Sequence, residues 1–524
     1  MRFCIAERGP VSIIFVGYLC HNIIKSKNGE IYFSKECFYE KKFYIVSCLF
    51  NYFDGFFVLC KKTDGNETTG SDPNVTLTED TKSPIADFPD KDFKNAQLRV
   101  LMHQTTVMGM YATEIYAENL TGDTMNDAAY KRNVYLMDKY KFSIVQNVMP
   151  NAHTVIQSLV LSDQDEYDLV VCGILRLTSL TPQTVFYDLN ELEYINMDND
   201  WWTQGAVTGL SVAGRNYIGV SDLMLNDKQR TSCTIYNKGM AEDLGLGNLY
   251  NLVDEDKWTL DKMAEMIKMA AKDNGDNTIT LDDTFGLASE YAAFSVYLTG
   301  SGIRVSEKDD NDLPTLTINN EKTIDVINKA LSFYADKNLT ALAQDYKSTQ
   351  SSQTPIYLFK NNRVLFVNGV IAWVQEYVAK SNIDTGVLPI PKYDEDQEDY
   401  YTYTQYNQAH GFSVPLTASD TDRIGFLIEV MSAASSEYVI PEYYNRILKS
   451  RYVMDAESPR MLDILFDGVV YDLGMVYNWG RVNNIISHNL LNARTNIFAS
   501  EYARIEQNIR AAMEETILSY TQND

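Results

Sequence analysis

Residues 123–148 read DTMNDAAYKRNVYLMDKYKFSIVQNV, and the period of the pattern changes partway along. Up to Tyr140 the spacing is helical. Ala128, Lys131, Val134, Leu136, Met137 and Tyr140 recur on a helix, and Asp123 or Thr124 stands where an N-cap belongs. From Lys141 onward, KFSIVQNV reads as a strand. A helix running straight into a strand is half of a βαβ unit. LRVLMHQ (98–104) supplies the strand before it. YDLVVCGI (167–174), with Asp163, Asp165 and Glu166 ahead of it, is an apolar run short enough for a buried strand after it. Strands alternating with helices predict an α/β fold with a mainly parallel sheet.

The alternation continues outward. TSCTIYNK (231–238) is a further strand. Thr259 is placed to cap a helix that carries Leu260, Met263, Ile267 and Ala270 on one face, and Asp261 suits its positive end. RVLFVNGVIAW (363–373) reads as strand, glycine turn and helix start. TGVLPIP (385–391) is a strand stopped by prolines, and HGFSVP (410–415) is a short strand before the helix TDRIGFLIEVMSAAS. From Pro441 the chain is mostly helical. The alternation breaks near 222–232 and again near 400–410.

At 524 residues the chain is long enough for two lobes with sizeable cores. It carries 71 acids against 45 Lys and Arg, a net charge of −26. That argues against nucleic acid, which needs clustered cations, and against anionic membrane surfaces; a neutral polar ligand fits better. The first 62 residues differ from the rest: they are net positive and hold five of the seven cysteines. Only Cys172 and Cys233 lie in the body, so two free thiols are expected rather than a disulfide framework.

Those first residues contain KKFYIVSCLFNYFDGFFVLCKKTDG (41–65), a basic flank and an apolar run ending on Cys60. The pattern is that of an atypical export signal ending at a lipidated cysteine, with Cys60 as the lipid anchor. Asn51, Asp54 and Leu59 depart from a regular signal. Residues 61–90 are rich in Thr, Asp, Gly, Asn and Pro and read as a disordered tether.

Motifs for catalysis are absent from the sequence. The five histidines show no metal-site spacing, and there is neither a nucleophile elbow nor a phosphate loop. AAKDNGDNTITLDDTFG (270–286) has two open readings. It is a weak calcium loop using Asn274, Asp276 and Asp283, with Lys272 and Asn277 out of pattern, or it is a turn rich in Asn, Asp and Gly. No cofactor is otherwise required. The 35 Tyr, 22 Phe and 5 Trp beside many acids are the chemistry of a carbohydrate site, because aromatic faces stack on sugar rings while carboxylates and amides bond the hydroxyls. Core packing is the competing role of every aromatic. Trp201 and Trp202 (MDNDWWTQG), Tyr217 (GRNYIGVSD), Trp373 (NGVIAW) and Trp479 (YNWGR) stand beside polar loop residues and are the candidates for lining a cleft.

The ordered series of segments from about 90 to 520 resembles the extracellular solute-binding proteins of family 1, the maltose-binding-protein-like group of ABC importers. DTMNDAAYKRNVYLMDKYKFSI, GRNYIGVSDLMLND, TIYNKGMAEDLGL, LFKNNRVLFVNGVIAW and HGFSVPLTASDTDRIGFLIEVMSA carry the resemblance, together with RYVMDAESPRMLDILFDGVVYDLGMVYN. It implies a two-lobed periplasmic-binding-protein type II fold with a hinge and an interlobe ligand cleft. Lobe one would hold 91–225 and 410–455, and lobe two 226–409 and 456–524. It further implies a monomer that closes on a carbohydrate and docks on ABC permease subunits, outside the cytoplasm, tied to the membrane only through its lipid. The family's ring-stacking aromatic falls near Ile371 or Trp373. Asp222 occupies a family position after Ser221, and Tyr236 and Asn237 lie on the strand after the hinge. A glycoside-active enzyme with an aromatic cleft, and a sugar-binding sensor or adhesion protein, are the alternatives.

Overall fold

The computed structural model describes residues 83–104, 115–346, 354–374, 382–448 and 457–521. It also describes a short antiparallel hairpin, Lys25–Lys27 with Glu30–Tyr32. Residues 81–524 form one compact unit, separate from 1–80. Cys60 and its apolar run lie outside the described residues.

The body starts earlier than composition suggests. Ile85 is buried, the Phe88 ring lies 5.9 Å from that of Phe426, and Ser83 donates to Glu437 at 2.5 Å. The last residues assigned to the tether therefore pack on the first lobe. Two apolar side chains among polar neighbours suffice to dock them.

The first sheet opens with β1 (Ala96–His103), β2 (Phe142–Met149) and β3 (Leu169–Gly173). β1 lies between the other two and runs parallel to both. Helix α1 (Thr124–Tyr140) precedes β2, α2 (Ala152–Leu161) joins β2 to β3, and α3 (Ile174–Thr178) follows β3 at once. Asp123 caps α1 by accepting from the amides of Met125 and Asn126, and Lys141 ends it in the left-handed region. The buried face of α1 differs from the expected one. Val134 is exposed, whereas Arg132 and Asn133 are buried. Both have partners there: Arg132 donates to Ser435 Oγ at 2.7 Å and both donate to the Ile115 carbonyl at 2.9 Å. A buried polar group is tolerated once its hydrogen bonds are made.

The chain then leaves the first sheet and builds the second from β4 (Ser232–Asn237), β5 (Phe285–Ser289), β6 (Thr340–Leu342), β7 (Val364–Val370) and β8 (Thr385–Leu388). Their order is β6-β5-β7-β4-β8, with β5 parallel to β6 and β7, and β4 antiparallel to its neighbours. Helix α4 (Leu260–Ala270), capped by Thr259, buries Leu260, Met263, Ile267 and Ala270 as its spacing predicts. The chain returns as β9 (His410–Ser413), antiparallel to β3, so the first sheet reads β9-β3-β1-β2.

The two crossings touch. Thr231 pairs with Thr404, and the Gln405 amide donates to the Arg230 carbonyl at 3.2 Å. This is the double passage that the broken alternation near 222–232 and 400–410 requires. After β9, α5 (Thr421–Tyr438) covers the first sheet. Its Phe426 ring sits 5.0–5.5 Å from those of Tyr140, Phe93 and Tyr194.

The C-terminal helix α6 (Phe498–Thr521) spans both lobes. Just before it, Arg494 binds Asp345 at 2.6 Å and Asn496 donates to Asn328 at 2.9 Å, both on the second-lobe side. At its far end the Tyr520 ring lies 4.7 Å from that of Tyr217, and Arg215 donates to the Tyr520 carbonyl. The far end thus rests on residues assigned to lobe one. Among the described residues no helix is long and apolar enough to cross a membrane. Cys172 and Cys233 are buried free thiols, with burial raising Cys172 to about 12.

Candidate ligand cleft

A cavity of about 240 Å³ lies where the strand ends of the second sheet meet the returning crossing. In α/β sheets ligands bind beyond the carboxyl ends of the parallel strands. Glu290 follows the end of β5, Asn368 and Gly369 lie at the end of β7, and Ser232 begins antiparallel β4 at the same edge. Leu175, just past β3, closes it from the first lobe, and Tyr403 and Gln405 to Gln408 come from the crossing. His488, Asn483 and Met475 complete the far wall.

Trp373 is the aromatic that reaches this space from the sequence candidates. Gly369 makes room for it, since a Cβ there would stand 3.2 Å from the indole and 2.9 Å from Ile235. Ile371 is buried in the core instead. Asn368 is almost wholly buried. Its Oδ1 accepts from Tyr297 at 2.8 Å, while its Nδ2 has no partner among the described residues. Burial raises the pKa of the half-buried Glu290 carboxyl.

The other proposed contacts sit elsewhere, each for a packing reason. Trp202 is buried and Trp201 half-buried. Their indole nitrogens donate to the two oxygens of Glu429 at 3.0 and 2.9 Å. Tyr217 is buried against Tyr520, and Tyr236 against Tyr250 at 5.8 Å. Asn237 caps the helix Lys238–Asp243 and donates to Asn362 at 2.6 Å. Trp479 is buried and donates to Thr516 at 2.9 Å.

Asp222 pairs with Lys228. Its Oδ1 lies 2.8 Å from Lys228 Nζ, with Asp227 3.9 Å from the same nitrogen. Burial opposes the charge on Lys228, but the two carboxylates outweigh it and raise its pKa.

The loop at 272–284 closes on itself. Asp283 accepts from the Asn274 and Thr280 amides at 3.0 and 2.8 Å, Asn274 from Asp276, and Asp276 from Thr278. Among the described residues no group of three or more His, Cys, Asp or Glu is gathered for a metal ion. Asn274, Asp276 and Asp283 each accept backbone amides within the loop, as turn-forming side chains do.

A larger depression of about 680 Å³ lies on the outer surface between α4 and the helix Glu321–Tyr334, lined by Asp261, Glu265, Lys268 and Lys329. It holds none of the expected site residues.

Sequence reasoning missed Glu290, Asn368 and His488. The signal for Glu290 was present: it follows the strand FGLAS at its carboxyl end, where α/β sheets place ligands.

No family model matches the sequence, and no curated protein matches it. Solved structures do match in shape. A sugar transporter from Rhizobium etli, in an open conformation, superposes with a TM-score of 0.52 at 13% identity, over 81% of this chain and 99% of that one. An ABC substrate-binding protein from Listeria monocytogenes in complex with cycloalternan gives 0.48 at 13% identity, over 80% and 98%. A family 1 extracellular solute-binding protein from Bifidobacterium longum subsp. infantis gives 0.48 at 12%, over 82% and 99%. The likeness to the first establishes the α/β, two-lobed binding-protein fold expected from the order of segments.

Proposed function

We propose that the protein is the substrate-binding subunit of an ABC importer, capturing a carbohydrate between its lobes and delivering it to a membrane permease. The observation that carries this is the cavity at the hinge. Trp373 offers a flat apolar face, the uncommitted Asn368 amide a donor, and Glu290 an acceptor. An aromatic face with a few convergent polar groups is what a sugar ring needs. The fold shared with a sugar transporter supports the same reading.

Lobes joined by two adjacent crossings close by rotation, and a ligand touching both favours the closed form. At about 240 Å³ the cavity is slightly smaller than the roughly 300 Å³ at which ordinary ligand pockets begin, so a longer saccharide extends out of it. Binding rather than turnover is favoured, because Glu290 is the one carboxylate among the described lining residues and most glycoside hydrolases use two.

Isothermal titration of the full chain against mono- and oligosaccharides tests this. At least one saccharide should bind, and Trp373→Ala should weaken it at least tenfold. A flat response to every saccharide, alongside tight binding of peptides, overturns the reading. The same proposal puts the body outside the cytoplasm on a lipid at Cys60. Mass spectrometry of the native N-terminus should then find a diacylglyceryl-modified Cys60, and an intact segment 1–60 refutes it.

A further inference from the structure

Three of the five histidines meet one arginine at the strand ends of the first sheet. His103 ends β1, His153 sits in the first turn of α2, Arg176 lies in α3 and His410 begins β9. The His103 ring lies 6.3 Å from that of His153 and 6.2 Å from that of His410. Arg176 Nη1 faces both ring nitrogens of His103, touching Nε2 and standing 2.9 Å from Nδ1. The buried Nδ1 of His153 has no partner among the described residues. Helix α2 adds its positive end: Asn151 makes no side-chain cap, and the first turn holds no acid.

The charges acting on these rings are all positive. Burial comes first, then Arg176 and His153 on His103, Arg176 on His153, and His103, Arg176 and Arg230 on His410. Together they hold His103 down to about 4 and His410 to about 3. Among the described residues no carboxylate acts on these rings. The cluster borders the cleft. Leu175, beside Arg176, lines the cavity, as do Asn407 and Gln408 just before Ala409 and His410.

We propose that this rim is an anion subsite of the cleft, and that the saccharide taken up carries an acidic group, such as the carboxylate of a uronic acid, set against Arg176, His103 and His153. The proposal rests on the carbohydrate reading and replaces the neutral solute that net charge suggests. The distant negative charge is screened beyond about 8 Å at physiological salt, so the local cations govern the last contact. Two neutral imidazoles beside an arginine also make capture proton-linked. An anion favours the protonated rings, so its affinity rises as pH falls from about 7 towards 4.

The test titrates the full chain with digalacturonate, its dimethyl ester, a hexose 6-phosphate and inorganic phosphate at pH 5, 6 and 7. A saccharide acid should bind at least tenfold tighter than the ester, with proton uptake that grows in size as pH falls. Arg176→Met should abolish the preference, and His153→Gln should flatten its pH dependence. Both variants should melt near the wild-type temperature, since Arg176 is exposed and His153 only half-buried. Preference for the hexose phosphate over the uronate keeps the subsite and makes its anion a phosphate. Binding of inorganic phosphate alone keeps the subsite and defeats the carbohydrate reading. Equal binding of acid and ester, or no binding by any acidic compound while a neutral saccharide binds, overturns the subsite and leaves the carbohydrate reading standing.

Discussion

Trp201 and Trp202, side by side in a polar loop, have the composition of a sugar platform, yet both indoles donate to one buried carboxylate, Glu429. Asn199 gives that carboxylate a third hydrogen bond at 2.7 Å. The partner lies more than two hundred residues away, so nothing local in MDNDWWTQG announces it. Burial raises the Glu429 pKa and these three donors oppose the shift. Glu429→Ala strands the three donors and should cost about 2–4 kcal/mol in urea unfolding, with Glu429→Gln milder. Trp373 was legible because a glycine precedes it at a strand end, whereas Glu290 and Asn368 carry ordinary strand-end sequences and become a site only when the second sheet meets the returning crossing. His410 gives a test of pH dependence. Its folded pKa, about 3, lies below the ordinary value of 6.5, so the unfolded chain takes up the proton first. Wild-type stability therefore loses this contribution as pH falls from 6.5 towards 3. The stability gap between wild type and His410→Gln, followed by chemical denaturation, should narrow across that window.

At the scale of elements, sequence reading recovers the strands and their helices because their periods are local. The cap of α1 at Asp123, the cap of α4 at Thr259 and the strand RVLFVNGV all sit where spacing puts them. It fails where tertiary partners decide. The inward Arg132 and Asn133 of α1 depend on Ser435 and Ile115, and the docking of Ile85 depends on the first lobe's surface. The contact of α4 with the second sheet shows how tightly elements fit. Gly286 on β5 faces the backbone of Ile267 on α4, and a Cβ there would stand 2.5 Å from the Ile267 Cα. Backbone cannot yield as a side-chain tip can. Gly286→Ala should destabilise by about 2–3 kcal/mol, read as a lower denaturant midpoint with unchanged slope.

For the whole molecule, the two lobes communicate through the crossings at 226–231 and 402–409 and through α6. Helix α6 is anchored beside Asn328 and Asp345 at its start and beside Tyr217 at its end. The proposed closure would pivot around that strap as well as the crossings. Small-angle scattering should show a smaller radius of gyration with bound saccharide, and no change with a compound that fails to bind. The split of the first sheet has a further consequence, in time rather than space. Every strand of the second sheet lies between Ser232 and Leu388, while the first sheet lacks its edge until His410–Ser413 has been made. A ribosome therefore releases a complete second sheet before a complete first one, although the first was started earlier. The edge of β3 therefore waits more than two hundred residues of synthesis for its partner, and an unpaired strand edge is a site for wrong pairing until then.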